Sequence, residues 1–124
     1  MSKRIGQEIE NIALKYLLNQ NLVLIIKNYY SRYGEIDLIM QDHNTLVFIE
    51  IRYRRNAQYG HPIESVTYRK KCKIYRTALS FLAKNPKFKN IQYRFDVVTL
   101  LGDSAETTWY KNIITEEILP IWGS

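Results

Sequence analysis

Two acidic residues, Asp37 and Glu50, each lie in an otherwise apolar run of the chain. Burying a carboxylate among Val, Ile, Leu and Phe is costly unless a cation or hydrogen-bond donors compensate it. The polar residues 41–45 between the two runs predict a hairpin turn centred between His43 and Asn44. That register makes Asp37 and Glu50 direct cross-strand neighbours on one face, with their Cβ atoms roughly 5 Å apart.

Arg52 follows Glu50 by two residues, so we expect its side chain on the same face of the strand. Two carboxylates and a cation that converge at a strand end are typical of a divalent-metal phosphodiesterase. A turn shifted by one residue would place the carboxylates on opposite faces. The competing interpretation is that Glu50 and Arg52 are surface residues of an edge strand. Because residues 46–51 carry apolar side chains on both faces, a central strand covered on both sides is favoured.

The length of 124 residues predicts a single domain over residues 1–124, with a core at about residues 5–113 and a C-terminal tail at 114–124. The longest aliphatic run, residues 22–26, is far shorter than the roughly 20 residues of a membrane helix. The N-terminus lacks the apolar segment of a signal peptide. We therefore expect a cytoplasmic protein with no membrane partner. The single cysteine, Cys72, excludes an internal disulfide and a cysteine-based zinc site.

The net charge of +6 is unevenly distributed along the chain. Residues 52–94 carry 12 basic side chains and 1 acidic side chain. By contrast, residues 1–51 carry 5 basic and 6 acidic side chains, and residues 95–124 carry 1 basic and 5 acidic. We call residues 52–94 the basic block. Such an excess of positive charge in one segment of a folded domain predicts a polyanionic partner, with nucleic acid as the leading candidate. A solvated basic helix without a partner is the alternative.

Periodicity predicts the element order α-β-β-β-α-β-β. The helices are expected at residues 5–19 and about 65–82, and the strands at 22–30, in a hairpin at 35–53, at 91–101 and at about 107–111. The residues expected to form the apolar stripe of the first helix are Ile5, Ile9, Ile12, Ala13, Tyr16 and Leu17. Those expected to face inward from the second helix are Cys72, Tyr75, Ala78, Leu79 and Leu82.

Glu10 lies at the border of the apolar stripe of the first helix, one turn after Gly6. It becomes chemically interesting only if this helix lies over the Asp37–Glu50 pair, where Gly6 would permit a close approach. The basic loop at residues 54–62 leaves its strand directly beyond Arg52, where a substrate-gating loop would sit. Asp96, on the fourth strand, is expected to cap a backbone group or pair with a nearby cation.

The order of Glu10, Asp37 and then Glu50-Ile51-Arg52 resembles that of the PD-(D/E)xK nuclease superfamily, which has the restriction-endonuclease-like fold. Over nearly all of residues 5–113 the chain resembles the bacterial YraN family within that superfamily. More distantly, it is similar to archaeal Holliday junction resolvases. The segments that carry the resemblance are Gly6 with Glu10 and Ala13, residues 34–39, residues 48–52, Tyr59-Gly60, Lys70 and residues 94–98.

The resemblance implies an α/β fold with a mixed central sheet flanked by helices and the acidic cluster at its open end. It implies that Asp37 and Glu50 hold one or two Mg²⁺ or Mn²⁺ ions, with Glu10 as an outer or second-metal ligand. Asp37, Glu50 and Arg52 would then be the catalytic residues. The cations expected to contact nucleic acid are Arg54, Arg55, Arg69, Lys70, Lys71 and Lys73.

DNA is favoured over RNA as the partner, and a two-fold dimer would suit a duplex or junction substrate. No organic cofactor is expected, because the chain has no Gly-rich phosphate loop of the Walker or dinucleotide type.

The residue at the superfamily's lysine position is Arg52. A lysine can orient the attacking water and release a proton, whereas arginine effectively never deprotonates. Arginine still binds phosphate and stabilises negative charge developing on it.

Three functions therefore stay open. The first is a Mg²⁺-dependent endonuclease acting on DNA, including branched or single-stranded DNA. The second is a non-cleaving nucleic-acid-binding module on a nuclease scaffold, and the third is a protein-interaction subunit whose basic face meets an acidic protein.

Overall fold

The structure, a computed structural model, describes residues 3–114, with side chains described from residue 5 onward. The predicted C-terminal tail, 114–124, lies outside the described residues except for its first position. Along the described part the order is helix, three strands, helix and two strands, as predicted. Neither α-helix of this part is long and apolar enough to cross a membrane.

The first helix, α1, spans Lys3–Asn19 and packs on the sheet through Ile9, Ala13 and Leu17. These residues are four apart, which brings them to one face of the helix. Two other members of the predicted stripe, Ile5 and Ile12, are 44% and 41% exposed. The prediction was wrong for these two, because the helix rests on the sheet along a narrower line than the whole apolar stripe.

Five strands form one mixed sheet in the order β1 to β5. They are Val23–Ser31 (β1), Gly34–Asp42 (β2), Thr45–Arg54 (β3), Gln92–Leu101 (β4) and Glu106–Tyr110 (β5). Neighbouring strands are antiparallel except for β3 and β4, which run parallel. A parallel pair needs a long crossover connection, and this one contains the second helix, α2, Tyr68–Lys84. The predicted mixed sheet is thereby confirmed.

The second helix begins later than predicted, because Thr67 is its N-cap. The Thr67 Oγ1 atom accepts a hydrogen bond of 3.2 Å from Lys70 N, which satisfies one of the free amides of the first turn. The preceding residues Pro62–Ser65 form a separate 3₁₀ helix. The helix ends at Lys84, since Asn85 precedes a proline and is thereby disfavoured from continuing it.

The two helices cover opposite faces of the sheet. The central strand β3 shows this arrangement, because Val47 and Ile49 pack on the α1 side whereas Leu46 and Phe48 pack on the α2 side. All four side chains are fully buried. The expectation of a central strand covered on both faces is therefore confirmed, and polar side chains further along β3 lie at the end of a buried strand.

The face of α2 that packs on the sheet differs from the prediction at Leu79, which is 40% exposed. The buried strip runs through Ile74, Ala78 and Phe81, while Thr77 is also fully buried. Leu79 follows Ala78 by one position, a rotation of roughly 100° around the helix. Its side chain therefore turns away from the sheet, and the predicted inward face was wrong at this residue.

Candidate functional site

The β2–β3 hairpin turns where the sequence predicts, but its ladder of paired residues is shorter than expected. The pairs run back to Leu38 and Ile49, and the next pair in the same register would be Asp37 with Glu50. Instead, Asp37 Oδ2 accepts a hydrogen bond of 2.8 Å from Ile51 N. A side-chain carboxylate thus takes a backbone amide at the point where the pairing of β2 with β3 ends.

The same residue, Asp37, marks a change in the facing of β2 side chains. Ile36 and Ile39 both pack on the α2 side, although residues three apart in a regular strand point to opposite faces. On the neighbouring strand β1, Asn28 has a φ of 54°, in the left-handed region that few non-glycine residues adopt. Strand irregularities of this kind re-aim a side chain, and here the re-aimed side chain is that of Asp37.

A cleft of about 470 Å³ lies between α1 and the sheet. Asp37 and Glu35 line it from β2, while Gly6 and Glu10 line it from α1. The helix therefore lies over Asp37 of the Asp37–Glu50 pair, and Glu10 shares a cleft with Asp37. A glycine one turn before Glu10 leaves the cleft open at that side of the helix.

Glu10 is held by two residues of β1. Its Oε1 atom accepts a hydrogen bond of 3.0 Å from Asn28 Nδ2 and lies 3.6 Å from Lys27 Nζ. Both partners also line the cleft. One oxygen of this carboxylate is thus already paired within the cleft.

Three carboxyl groups meet around Asp37. The carboxyl groups of Glu35 and Glu50 lie close enough to that of Asp37 to raise its pKa. Burial, and then the charge of Glu50, raise the pKa of Asp37 to about 9, although the hydrogen bond from the amide of Ile51 favours the charged form. Two carboxylates that share a site cannot both be charged without cost unless a cation joins them. The cluster therefore has the electrostatics of a cation site.

The carboxylate of Glu50 is buried, with a side chain only 6% exposed, and it is paired with two cations. Arg52 Nη2 lies 2.7 Å from Glu50 Oε2, and Lys70 Nζ lies 3.5 Å from the same oxygen. Arg52 reaches it along β3 and Lys70 from the first turn of α2. The Nε atom of Arg52 is buried and has no hydrogen-bond partner among the described residues. Because buried donors are normally paired, this N–H is a donor available to an anion.

The donor set fits a hard divalent cation in its chemistry, since Mg²⁺ prefers carboxylate oxygens and retained waters. The raised pKa of Asp37 reports its burial first and the charge of Glu50 second, and a bound divalent ion would favour the ionised form of both carboxyl groups. The arrangement is not a finished metal centre, however. Within residues 3–114 no three His, Cys, Asp or Glu side chains are grouped as metal ligands. Asp37 and Glu50 are adjacent, whereas Glu10 is engaged with β1.

The cations expected to contact nucleic acid occupy different settings. Lys70 is at the acidic cluster itself, and Arg54 Nη1 donates a 2.9 Å hydrogen bond to Tyr59 O, within the loop that follows β3. Lys71 is half-buried on α2. The exposed members of the set are Arg55, Arg69 and Lys73. The structure thus assigns part of the basic block to the site and to its neighbouring loop.

Another member of the basic block, Arg94, is structural. Its guanidinium hydrogen-bonds to Asp96 at 3.1 Å and to Asp42 at 3.0 Å. Asp96 is buried and also accepts hydrogen bonds of 2.9 Å from Trp109 Nε1 and from Asn112 N. The expectation that Asp96 pairs with a cation is confirmed, and this network ties β4 to its neighbours rather than forming part of the cleft.

Residues 9–100 match the model described as "Uncharacterised protein family UPF0102". The chain belongs to this family. UPF0102 is the YraN family, so the resemblance found from the motifs is confirmed.

Individual relatives match over almost their full length. A UPF0102 protein of Coxiella burnetii (strain RSA 493) is 43% identical over 117 residues, which cover 94% of this chain and 97% of the relative. A UPF0102 protein of Vibrio cholerae (strain N16961) is 41% identical over 116 residues, covering 93% and 95%. One of Aliivibrio salmonicida is 42% identical over 117 residues, also covering 93% and 95%.

The segment matched to UPF0102 contains every charged residue of the site just described, from Glu10 to Lys70, whereas Gly6 precedes it. The sequence predicts Glu10, Asp37, Glu50 and Arg52 at the site, and the structure brings Asp37 and Glu50 close enough for the charge of Glu50 to raise the pKa of Asp37. Lys70 is predicted only to contact the nucleic-acid backbone, and the structure also places it beside Glu50.

Two further residues, Glu35 and Asn28, were not singled out from the sequence. Glu35 is two residues before Asp37 on the same strand, and this spacing was a usable signal. Asn28 carried none, because its role depends on a positive φ and on the position of α1.

Proposed function

We propose that this UPF0102 protein binds nucleic acid and cleaves phosphodiester bonds of DNA with the help of Mg²⁺ or Mn²⁺. The observation that carries the proposal is the buried pair of Asp37 and Glu50, since burial and then the charge of Glu50 raise the pKa of Asp37 to about 9. A buried pair of acids beside two cations is costly for a purely structural purpose. It is useful where a divalent ion and a phosphate are to be held side by side.

Asp37 and Glu50 would hold the metal ion, and Glu10, whose Oε1 atom is paired with Asn28 and Lys27, would join them as an outer or second-metal ligand. When bound, the ion would supply positive charge that lowers the pKa of water and neutralises charge developing on the phosphate. The hydrogen bond from Ile51 N fixes one oxygen of Asp37. With one oxygen held in this way, the Asp37 carboxyl needs little reordering when a cation enters.

Arg52 and Lys70 would have a different role in the proposed site. Their contacts to Glu50 Oε2 fix the orientation of that carboxylate. The unpartnered Nε–H of Arg52 adds a donor for a phosphate oxygen, and guanidinium groups bind phosphate through such paired donors. Since arginine does not release its proton, Arg52 acts in the proposal by stabilising charge on the phosphate, and no proton transfer is assigned to it.

Cleavage assays with labelled single-stranded, duplex and four-way-junction DNA test the proposal, first with Mg²⁺ and then with Mn²⁺. Asp37→Asn and Glu50→Gln keep the shape of each side chain and are expected to abolish cleavage while DNA binding survives. Lys15→Ala, which removes an exposed cation from α1, is the matched control and should cleave like the wild type. Cleavage that persists in both acid variants would rule this site out.

A non-cleaving nucleic-acid-binding module is the second candidate, and the double pairing of Glu50 favours it. Arg52 and Lys70 already neutralise the oxygen that a metal ion would need. This candidate predicts DNA that is retarded but uncut with either metal. Arg52→Lys is then the informative variant, because cleavage that appears only in this variant would identify Arg52 as the reason for the missing turnover.

A further inference from the structure

A second cleft, which is basic, lies on the α2 side of the molecule, between the β1–β2 turn and the second half of α2. Its volume is about 930 Å³. Three cations line it, Arg32 from the turn and Arg76 and Lys84 from the helix, together with the ring of Tyr33. None of the described residues that line it is acidic. The charged side chains that line this cleft are thus all positive.

The turn that carries Arg32 and Tyr33 is fixed to α2. The hydroxyl of Ser31 donates a 3.1 Å hydrogen bond to Thr77 Oγ1, which is fully buried. The same Ser31 Oγ accepts a 3.0 Å hydrogen bond from Tyr33 N. Because these bonds connect the turn to the helix, the cations of the two elements are held at a defined separation.

Tyr33 orders the two guanidinium groups. Arg32 Nη2 donates a 2.7 Å hydrogen bond to Tyr33 Oη, which lowers the pKa of that hydroxyl. The guanidinium carbons of Arg32 and Arg76 lie 4.9 and 5.2 Å from the centre of the Tyr33 ring, within the range of cation–π attraction. The ring is therefore engaged by cations and is poorly placed to stack on a base. Ordered guanidinium groups suit a phosphate.

We propose that this cleft is a second phosphate-binding subsite, which holds the backbone of the nucleic acid on one side of the cleavage point. The inference rests on the function proposed above and adds the direction in which the nucleic acid runs from the acidic cluster, which is along α2. Along α2, Lys70 at the acidic cluster precedes Arg76 by about 9 Å and Lys84 by about 21 Å. In B-form DNA these spans correspond to roughly three to six nucleotides of one strand. The subsite reads no base, so its contribution is independent of sequence.

Binding of full-length protein to duplex DNA without added metal ion, measured over a series of salt concentrations, tests this subsite. The variants are Arg32→Ala and Lys84→Ala, both at exposed positions, with Lys15→Ala on the opposite helix as the charge-matched control. Each subsite variant is expected to bind about five- to tenfold more weakly and to lower the salt slope by about 1. Tyr33→Leu removes the platform without a change of charge and should weaken binding in the same direction.

A scan of single neutral methylphosphonate linkages along the duplex locates the contact. In the wild type a set of phosphates three to six nucleotides from the cleavage point should be sensitive to neutralisation, by the spans given above. In Arg32→Ala that set should lose its sensitivity while phosphates at the cleavage point keep theirs, as expected when two partners of one contact are removed.

The outcomes separate this inference from the proposed function. A wild type that binds no DNA overturns both. A wild type that binds, with Arg32→Ala and Lys84→Ala indistinguishable from Lys15→Ala, overturns the subsite alone. Unchanged DNA binding combined with loss of polyglutamate binding in Arg32→Ala would assign the cleft to an acidic protein and would likewise overturn it.

Discussion

Lys70 places its ammonium group 3.5 Å from Glu50 Oε2, across the interface between α2 and the central strand. The PD-(D/E)xK pattern has a lysine at the position that Arg52 occupies in this chain. Lys70 of α2 brings a lysine ammonium group to Glu50 from a different segment. Glu50 consequently receives an arginine from its own strand and a lysine from a distant segment. Two cations on one oxygen compensate the burial of this carboxylate, so the site has its charge partners in place before any ligand arrives.

The raised pKa of Asp37 makes the stability of the protein dependent on pH. The pKa is 3.8 in an unperturbed chain and about 9 in the folded protein. Between these values the folded state binds more protons than the unfolded state, so the free energy of unfolding must fall as pH rises from about 4 to about 9.

Asp37→Asn removes the titrating group but keeps an acceptor for Ile51 N. Its unfolding free energy should therefore vary less with pH, and it should exceed that of the wild type above neutral pH. Thermal unfolding in chelator at a series of pH values measures both effects. Equal pH profiles for the two proteins would contradict the prediction.

Divalent cations should reverse the loss of stability that ionisation of Asp37 causes at high pH. Mg²⁺ or Mn²⁺ at about 100 times its Kd stabilises a protein by about 2.7 kcal/mol, which corresponds to a rise in Tm of about 5–10 °C for a domain of this size. The rise is expected in the wild type and absent in Asp37→Asn and Glu50→Gln. Ca²⁺ serves as a comparison, because its longer bonds demand a different coordination shell. A rise of the same size in all three proteins would place the cation elsewhere.

The local features of the site could be predicted from the sequence, whereas its long-range features could not. Leu46, Val47, Phe48 and Ile49 are apolar at every position, and that pattern alone indicates a strand covered on both faces. The polar residues between the strands set the register of the hairpin. Both signals are contained within a few neighbouring residues, where side-chain alternation and turn chemistry act directly.

The contact of Lys70 with Glu50 depends on how α2 docks across the sheet, and that is decided by packing throughout the core. The displacement of Asp37 from the ladder likewise depends on a positive φ at Asn28 and on the position of α1. The residues next to Asp37 and Lys70 in the sequence carry no signal of either feature. A regular hairpin was therefore the natural expectation, and the departure from it is what aims the Asp37 carboxylate into the cleft.

The pairing of Arg52 with Glu50 should be measurable as a coupling energy. Arg52→Ala leaves a buried carboxylate with only Lys70 and is expected to cost about 2 kcal/mol of stability, below the full penalty for an unpaired buried charge. Combined with Glu50→Gln, it should cost less than the sum of the single changes by about 1 kcal/mol. Urea unfolding of the wild type, both single variants and the double variant gives the coupling.

Arg55→Ala, which removes an exposed arginine from the same segment, is the control for Arg52→Ala and should change the unfolding free energy by less than about 0.5 kcal/mol. Strict additivity of the two site changes would show that the 2.7 Å ion pair contributes nothing to stability. Its role would then be confined to ligand binding.

The orientation of α2 decides whether Lys70 reaches Glu50, and two residues on that helix test the orientation. Phe81 is buried and contacts the rings of Phe48 and Tyr29, with centroids 6.0 and 5.2 Å away, whereas Leu79 is 40% exposed. Phe81→Ala is expected to cost about 3–5 kcal/mol through lost burial and a cavity, and Leu79→Ala about 0.5 kcal/mol.

Urea unfolding measures both costs, and the ranking of the two is the informative result. If Leu79→Ala proved the more costly change, α2 would have to be rotated by roughly 100° about its axis. The same rotation would carry Lys70 away from the sheet, and the ammonium could not lie beside Glu50. A large cost for Phe81→Ala together with a small one for Leu79→Ala therefore supports the position of Lys70 without any measurement of activity.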